Sequence, residues 1–199
     1  MGRRLGFQET GYWHIDNHWE FRSGHEFHTG INLTREGVLA PFEIYPGVIV
    51  PPGTYDHAEA QFVGFTNEGA PVSINSTVTM GGFFGGDRVA LNQAVRVRAG
   101  ETLTTDVSWQ INDINLPWGS FVTNLGRLRV SYSFSPRLFV QSLIQYNDRA
   151  DLWSANLRFG WLQRANTGLF VVFNNTDEFG VAGRPFAGSQ LHHQVFTVD

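Results

Sequence analysis

Residues 152–162 read LWSANLRFGWL, and the alternation in that stretch decides the fold. Trp153, Ala155, Leu157, Phe159 and Trp161 share one parity, while Ser154, Asn156, Arg158 and Gly160 share the other. Successive side chains of a strand point to opposite faces, so the segment reads as a β-strand with one apolar and one polar face. A half-buried soluble strand alternates in the same way. The two tryptophans sharpen the reading, because they stand near the two ends of the apolar face. At ~3.3 Å per residue and a tilt of roughly 40°, they lie ~20 Å apart along a barrel axis. Membrane barrels carry aromatic girdles flanking an apolar band of about 25 Å, so the spacing suits a strand that faces lipid.

Neighbouring segments repeat the pattern. Leu128, Val130, Tyr132 and Phe134 share a face against Arg129, Ser131 and Ser133. Leu138, Val140, Ile144 and Tyr146 share a face with Ser142 as the exception, and Phe139, Gln141, Leu143, Gln145 and Asn147 lie opposite. Leu169, Val171 and Phe173 continue the apolar side. The expected lipid-facing or interfacial set is Trp109, Val130, Tyr132, Phe134, Tyr146, Trp153, Leu157, Phe159 and Trp161. The expected lumen-facing set is Arg96, Arg98, Arg129, Asn156 and Arg158. Glu26, His28, Asn32, Glu59, Asn75, Asn92, Asp106, Gln110 and Gln145 join the polar face, where opposite charges can pair.

Outward along the chain, strands are expected at roughly 17–22, 26–34, 55–65, 72–82, 88–98, 102–112, 120–134, 138–147, 152–163 and 168–175, with a last one at 190–198. The expected fold class is all-β: an antiparallel up-and-down meander of about 10–11 strands, forming a membrane β-barrel or the C-terminal part of one. Residues 1–16 form an N-terminal segment without a clear pattern, and 17–199 form the barrel domain. Short turns rich in Gly, Pro, Asn and Ser fall at 22–25, 67–71, 98–101, 135–137 and 164–168. Longer loops are expected at 35–54, 83–87, 113–119, 148–151 and 175–189. Short turns at one end and longer loops at the other are the asymmetry of outer-membrane barrels.

Composition limits the alternatives. The net charge is −4 and no basic stripe appears, so nucleic acid is not an expected partner. Cysteine is absent, which removes disulfides, thiolate nucleophiles and zinc–thiolate sites. No run of 18 apolar residues exists, so a transmembrane helix is not expected. Aromatics make up 14% of the chain, with 17 Phe and 6 Trp, although hydrophobic residues are only 42%. Membrane barrels hide hydrophobicity in this way, because only alternate residues meet lipid. The N-terminal MGRRLGFQETGYWH has no apolar core after its arginines and does not read as a secretory signal. A barrel destined for an outer membrane needs such a signal, so on the barrel reading the chain is expected to be the C-terminal part of a longer protein.

Four segments carry a resemblance: PFEIYPGVIVPPGTY at 41–55, GGFFGGDR at 81–88, INDINLPWGSFVTNL at 111–125, and YSFSPRLFVQSLIQYNDRADLWSANLRFGWLQRANTGLFVVFNN at 132–175. Together they resemble the C-terminal β-barrel of the bacterial DUF5916 family over about residues 17–175. Members of that family carry a domain similar to family 9 carbohydrate-binding modules before the barrel, and this chain has no counterpart of it. The resemblance implies an integral outer-membrane protein of a Gram-negative bacterium: a pore, scaffold or uptake component linked to glycan handling. Its implied partners are the lipid bilayer and a glycan or another outer-membrane protein. It implies no catalytic residues.

The chemistry-bearing residues are weighed on their own terms. His14, Asp16 and His18 share a face if extended, and imidazole with carboxylate suits a divalent metal, but a polar, disordered N-terminal piece is the favoured reading. His192 and His193 point to opposite sides of a strand. The Gly-rich 81–88 has no following helix to aim at a phosphate and reads as a hairpin turn. Asp113 and Asp148 read as turn residues before they read as paired acids. No catalytic, metal or cofactor site is assigned, and the chain is read as non-enzymatic. Trp118 is the candidate ligand-stacking residue. The alternative function is a soluble β-sandwich module binding a carbohydrate or other ligand through such loop aromatics.

Overall fold

The computed structural model describes residues 10–164 and 167–178. They are all-β, with no helix among the described residues. Twelve strands follow in order: β1 (Thr10–Glu20), β2 (Glu26–Val38), β3 (Phe42–Tyr45), β4 (Val48–Val50), β5 (Gly53–Phe65), β6 (Val72–Phe83), β7 (Gly86–Ala99), β8 (Leu103–Leu116), β9 (Gly119–Ser135), β10 (Leu138–Asn147), β11 (Leu152–Arg164) and β12 (Thr167–Glu178). Ten of them form one antiparallel up-and-down sheet in the order β1-β2-β5-β6-β7-β8-β9-β10-β11-β12. The expected meander forms, and no Greek-key crossover interrupts it among the described strands.

Three expectations need correction. The first strand begins at Thr10 rather than 17, so 10–16 belong to the sheet. Its apolar parity is legible only beside β2, because Asn17 interrupts it between Ile15 and Trp19. The 35–54 connection is not a plain loop: β3 and β4 form a separate hairpin within it. Two of the other proposed loops shrink to two residues, at 84–85 and 117–118, the four-residue connection at 148–151 is as expected, and of 175–189 the part through Glu178 is strand while the rest lies outside the described residues. The run 113–116 looks like a loop by its Asn and Asp content. Its alternate residues Ile114 and Leu116 are nevertheless buried, so β8 continues through it. The Gly-rich 81–88 is a hairpin turn as read. Phe84 and Gly85 both have positive φ (43° and 77°), the geometry of a two-residue type I′ turn. The strand expected at 190–198, His192, His193 and the turn at 165–166 lie outside the described residues.

The chain divides into two compact units, one drawn from Met1–Thr66, Asn75–Asn92 and Ile111–Val122, the other from Asn67–Ile74, Gln93–Gln110 and Thr123–Asp199. In the first, β1 pairs β2 from Thr10↔Glu36 to Glu20↔Glu26, and β2 pairs β5 from Glu26↔Phe65 to Val38↔Gly53. That register sets Trp13 beside Leu33 and Ala58, Ile15 beside Ile31 and Ala60, and Trp19 beside Phe27 and Gly64. Opposite residues of paired strands share a face, so His14, Asp16, His18, His28, Asn32 and Glu59 occupy the other one. On that side Arg88 donates Nε and Nη2 to the two carboxylate oxygens of Glu59, each at 2.8 Å. Glu59 is buried.

In the second unit the register sets Val130, Ser142, Leu157 and Phe173 in one row across β9, β10, β11 and β12. Arg129, Leu143, Asn156 and Asn174 form the adjoining row on the opposite face. Irregularities fall only near strand ends, at Leu138/Phe139 and Leu162/Arg164.

The two kinds of ion pair in the first unit differ in burial, and stability should read the difference. Removing one partner of a buried pair strands a charge and costs about 3–5 kcal/mol, whereas an exposed pair contributes about 1 kcal/mol or less. Glu59→Ala, which strands the half-buried Arg88, is expected to lower unfolding stability by about 3 kcal/mol. Asp56→Ala breaks the exposed bidentate Arg35–Asp56 pair and is expected to cost under about 1 kcal/mol. Denaturant titration of the two variants side by side checks the ranking.

Candidate functional site

The feature that most constrains function is a pair of chemically opposite faces rather than a cleft. On the apolar face of the second unit, Trp109, Tyr146 and Trp153 form a row. Ring centroids lie 6.2 Å apart between Trp109 and Tyr146, and 4.7 Å apart between Tyr146 and Trp153. Gly126 sits opposite Tyr146 and leaves room for the Trp109 ring, which a Cβ there would meet at 3.0 Å. The indole N–H of Trp109 donates to Asn124 Oδ1 at 3.2 Å, and Asn124 Nδ2 donates to Asp148 Oδ2 at 2.7 Å. The row is thus apolar on one side and hydrogen-bonded on the other.

Toward the opposite strand ends lies a second aromatic group, with Tyr132 edge-on to Phe134 at 4.7 Å and Trp161 opposite Leu138. Between the two groups the rows hold Leu128, Ile144, Ala155, Val130, Leu157, Phe173, Val140, Phe159 and Val171, with Ser142 and the buried Asn175 as their polar members. Trp153 (39%), Leu157 (44%) and Trp161 (48%) are exposed, as are Trp109, Tyr132 and Phe134. Val130, Tyr146 and Phe159 are half-buried by neighbours within the sheet.

The first unit shows the same order independently. Trp13, Ile15, Trp19, Phe27, Ile31, Leu33 and Phe62 are exposed on one face, and Trp19 stacks on Phe27 at 5.6 Å. One row beyond Trp13 the character changes, and the Arg35–Asp56 pair closes the apolar stretch.

The polar face is internally bonded. In the first unit Tyr12 donates its hydroxyl to Asn32 Oδ1 at 2.8 Å, and His14 Nδ1 lies 2.6 Å from the same oxygen. Asp16 bridges His14 and His18, His18 stacks flat on His28 with centroids 3.9 Å apart, and His28 Nε2 lies 3.2 Å from Glu26. The extended backbone does bring His14, Asp16 and His18 together. Among the described residues, however, no group of three such side chains could hold a metal ion. The sequence did not reveal that His28 and Asn32 complete this ladder, because that depends on the β1–β2 register.

In the second unit Arg96 Nε donates to Asp106 Oδ1 at 2.5 Å. Arg98 is recruited to a turn, donating its backbone N–H to Pro71 and Nη1 to the Glu68 carbonyl. Arg129 lies across from Leu143, and Asn156 donates to Asn174. Arg158 stacks over Phe170 at 4.9 Å and Phe139 at 5.9 Å. Gly160 is required beside this cluster, since a Cβ there would overlap the Phe139 ring.

Two loop readings resolve differently. Trp118 is not free at a loop tip: it is half-buried, edge-on to Tyr55 with centroids 5.9 Å apart. Asp148 accepts from Asn124 and from the Asp151 backbone N–H, as a turn residue does, and Asp113 is an exposed strand position. No family model, curated protein or solved structure matches the chain.

The aromatic row should carry a measurable coupling. Aromatic pairs contribute about 0.5–1.5 kcal/mol beyond area burial. A double-mutant cycle with Tyr146→Leu and Trp153→Leu is expected to give a favourable coupling of about 0.5–1 kcal/mol. A cycle of Tyr146→Leu with Trp161→Leu, at the far end of β11, should give close to none.

Proposed function

We propose that this chain is an integral membrane protein of the β-barrel type, residing in a bacterial outer membrane, with its apolar sheet face against lipid and its polar face toward an aqueous interior. The observation that carries the reading is the uncovered apolar face, found separately in both units and bounded by tryptophan and tyrosine. Monomeric soluble proteins rarely expose contiguous apolar patches beyond a few hundred Å². A sheet in a bilayer must satisfy its backbone within itself and present apolar side chains outward. An up-and-down antiparallel meander supplies the first condition once its two edge strands close on each other, and the alternation supplies the second.

The polar face supports the same reading, because Arg88 is paired there with Glu59 and Arg96 with Asp106, as water-lined interiors tolerate. A link to glycan handling rests on the sequence resemblance alone. A soluble sandwich finds less support, since it would require the tryptophan set to lie packed between two sheets. Fractionation tests the proposal directly. The expressed chain should sediment with membranes, resist carbonate extraction and require detergent, whereas a monodisperse detergent-free protein would overturn it.

Orientation is tested by two neighbouring substitutions. Leu157 lies midway between Trp153 and Trp161, and an arginine facing lipid near the bilayer midplane costs about 2–4 kcal/mol. Leu157→Arg is expected to lower folding stability in lipid vesicles by that amount. Asn156→Arg, one position away and on the polar face, should change it by less than about 1 kcal/mol. Reversible denaturant titration in vesicles measures both, and equal losses would mean that the faces are reversed.

A further inference from the structure

The buried hydrophobic residues among those described are Val48, Val50, Ile114, Leu116 and Phe121, and all five form one cluster in the first unit. Their position is unexpected for a sheet whose apolar side chains otherwise lie outside. Phe83 and Tyr55 pack against the cluster. Phe83 lies under the guanidinium of Arg88 at 4.5 Å, and Arg88 is paired with Glu59. Glu59 is on the face opposite Ala58, Ala60 and the exposed Ile31 and Leu33. The cluster therefore lies on the polar face. Apolar Ile114, Leu116 and Phe121 would meet water there were they not covered, and the cover is the β3–β4 hairpin.

We propose that this hairpin is a plug, folded from the β2–β5 connection onto the polar face and fixed there so that it closes the aqueous interior at that end. The proposal rests on the membrane-barrel reading and deepens it, favouring an occluded protein over an open pore. Val50 is completely buried. Tyr45 stacks on Phe121 with centroids 4.4 Å apart and planes within 7°, and Phe42 packs edge-on to Phe84 at 5.7 Å. The hairpin also meets the β8–β9 turn closely, because a Cβ at Gly119 would come within 3.0 Å of Val48. Its own turn is held by a hydrogen bond from the Gly47 N–H to Glu43 Oε1, and its exit by one from the Tyr55 hydroxyl to the Pro51 carbonyl, both at 2.8 Å. A freely moving loop has no reason to bury its valines and bond both its turn and its stem. Ile49, which alternates with the two valines, points away and is 53% exposed.

The test is solute release and conductance. Wild-type chain, Val50→Asp, Ile49→Asp and a variant with residues 42–50 replaced by a short Gly-Ser linker are reconstituted into phosphatidylcholine–phosphatidylglycerol vesicles. Insertion is scored separately by protease resistance of the vesicle-bound chain. Entrapped calcein and KCl conductance in planar bilayers report opening. Wild type and Ile49→Asp should stay closed, while Val50→Asp and the linker variant should conduct several-fold more. The plug is overturned if inserted wild type conducts as well as the linker variant, or if the linker variant is as tight as wild type. It is also overturned if wild type inserts and both opening variants fail to insert, since the hairpin would then be part of the folding core. Failure of the wild-type chain itself to insert would instead overturn the membrane reading, and the plug with it.

Discussion

The structure depends on keeping one parity from strand to strand across the main sheet. A strand that slips by one residue sends its whole apolar set to the other face. The pairings from β9 through β12 carry Leu157, its neighbours and their rows without such a slip, and those from β1 through β6 do the same for Ile31 and Phe62. The irregularities at Leu138/Phe139 and Leu162/Arg164 sit beside turns, where a bulge re-aims a strand end without disturbing the middle rows. Glycine is used where large rings need room on a face: Gly126 admits Trp109 and Gly160 admits Phe139. Side-chain volume and register thus agree, and agreement between levels is what singles out one structure.

The polar face obeys a second constraint. Charge held against a low-dielectric sheet is tolerated when it is paired and hydrogen-bonded. Arg88 meets Glu59 in a bidentate fork, Arg96 meets Asp106, and Arg158 spreads its charge over two aromatic rings. All basic side chains other than histidine are arginine, whose planar fork suits both uses better than an ammonium group would. The histidine ladder is hydrogen-bonded in the same way, as Asn32 accepts from Tyr12 while Asp16 lies between two imidazoles.

How much of this could be read from sequence follows from where the information resides. The alternation of Trp153 to Trp161 is local and needs no partner, so β9 to β12 and both of their faces were legible. The beginning of β1 was not, because Asn17 breaks its apolar set until Ile31 and Leu33 lie beside it. The extent of β8 was obscured by composition, since Asn112, Asp113 and Asn115 suggest a loop while Ile114 and Leu116 keep the period. The β3–β4 hairpin carried a faint signal in Val48-Ile49-Val50 between Gly47 and Pro51-Pro52. What the valines bury against lies more than 60 residues away in sequence, and no local pattern encodes that. That Trp118 is half-buried beside Tyr55 was hidden for the same reason, because Tyr55 is distant in sequence.

The limits of the apolar face bear on what covers it. In the first unit the face runs between the Trp13 and Trp19 rows and gives way to the Arg35–Asp56 pair beyond Trp13. In the second it runs between the Trp153 and Trp161 rows, with Asn124 and Asp148 hydrogen-bonded past the Trp109 end. A protein partner would require an apolar patch with a polar rim all round, shaped to that partner. A bilayer requires a band instead, apolar across every strand and bounded along the strand direction by side chains with one greasy and one wet end. Tryptophan and tyrosine are such side chains, and Trp109 shows both ends at once: its ring edge lies over Gly126 and its N–H on Asn124. The same polar–aromatic–apolar order in two units, reached through different residues, is the order the proposed membrane reading expects, and a single docking partner gives no reason for its repetition.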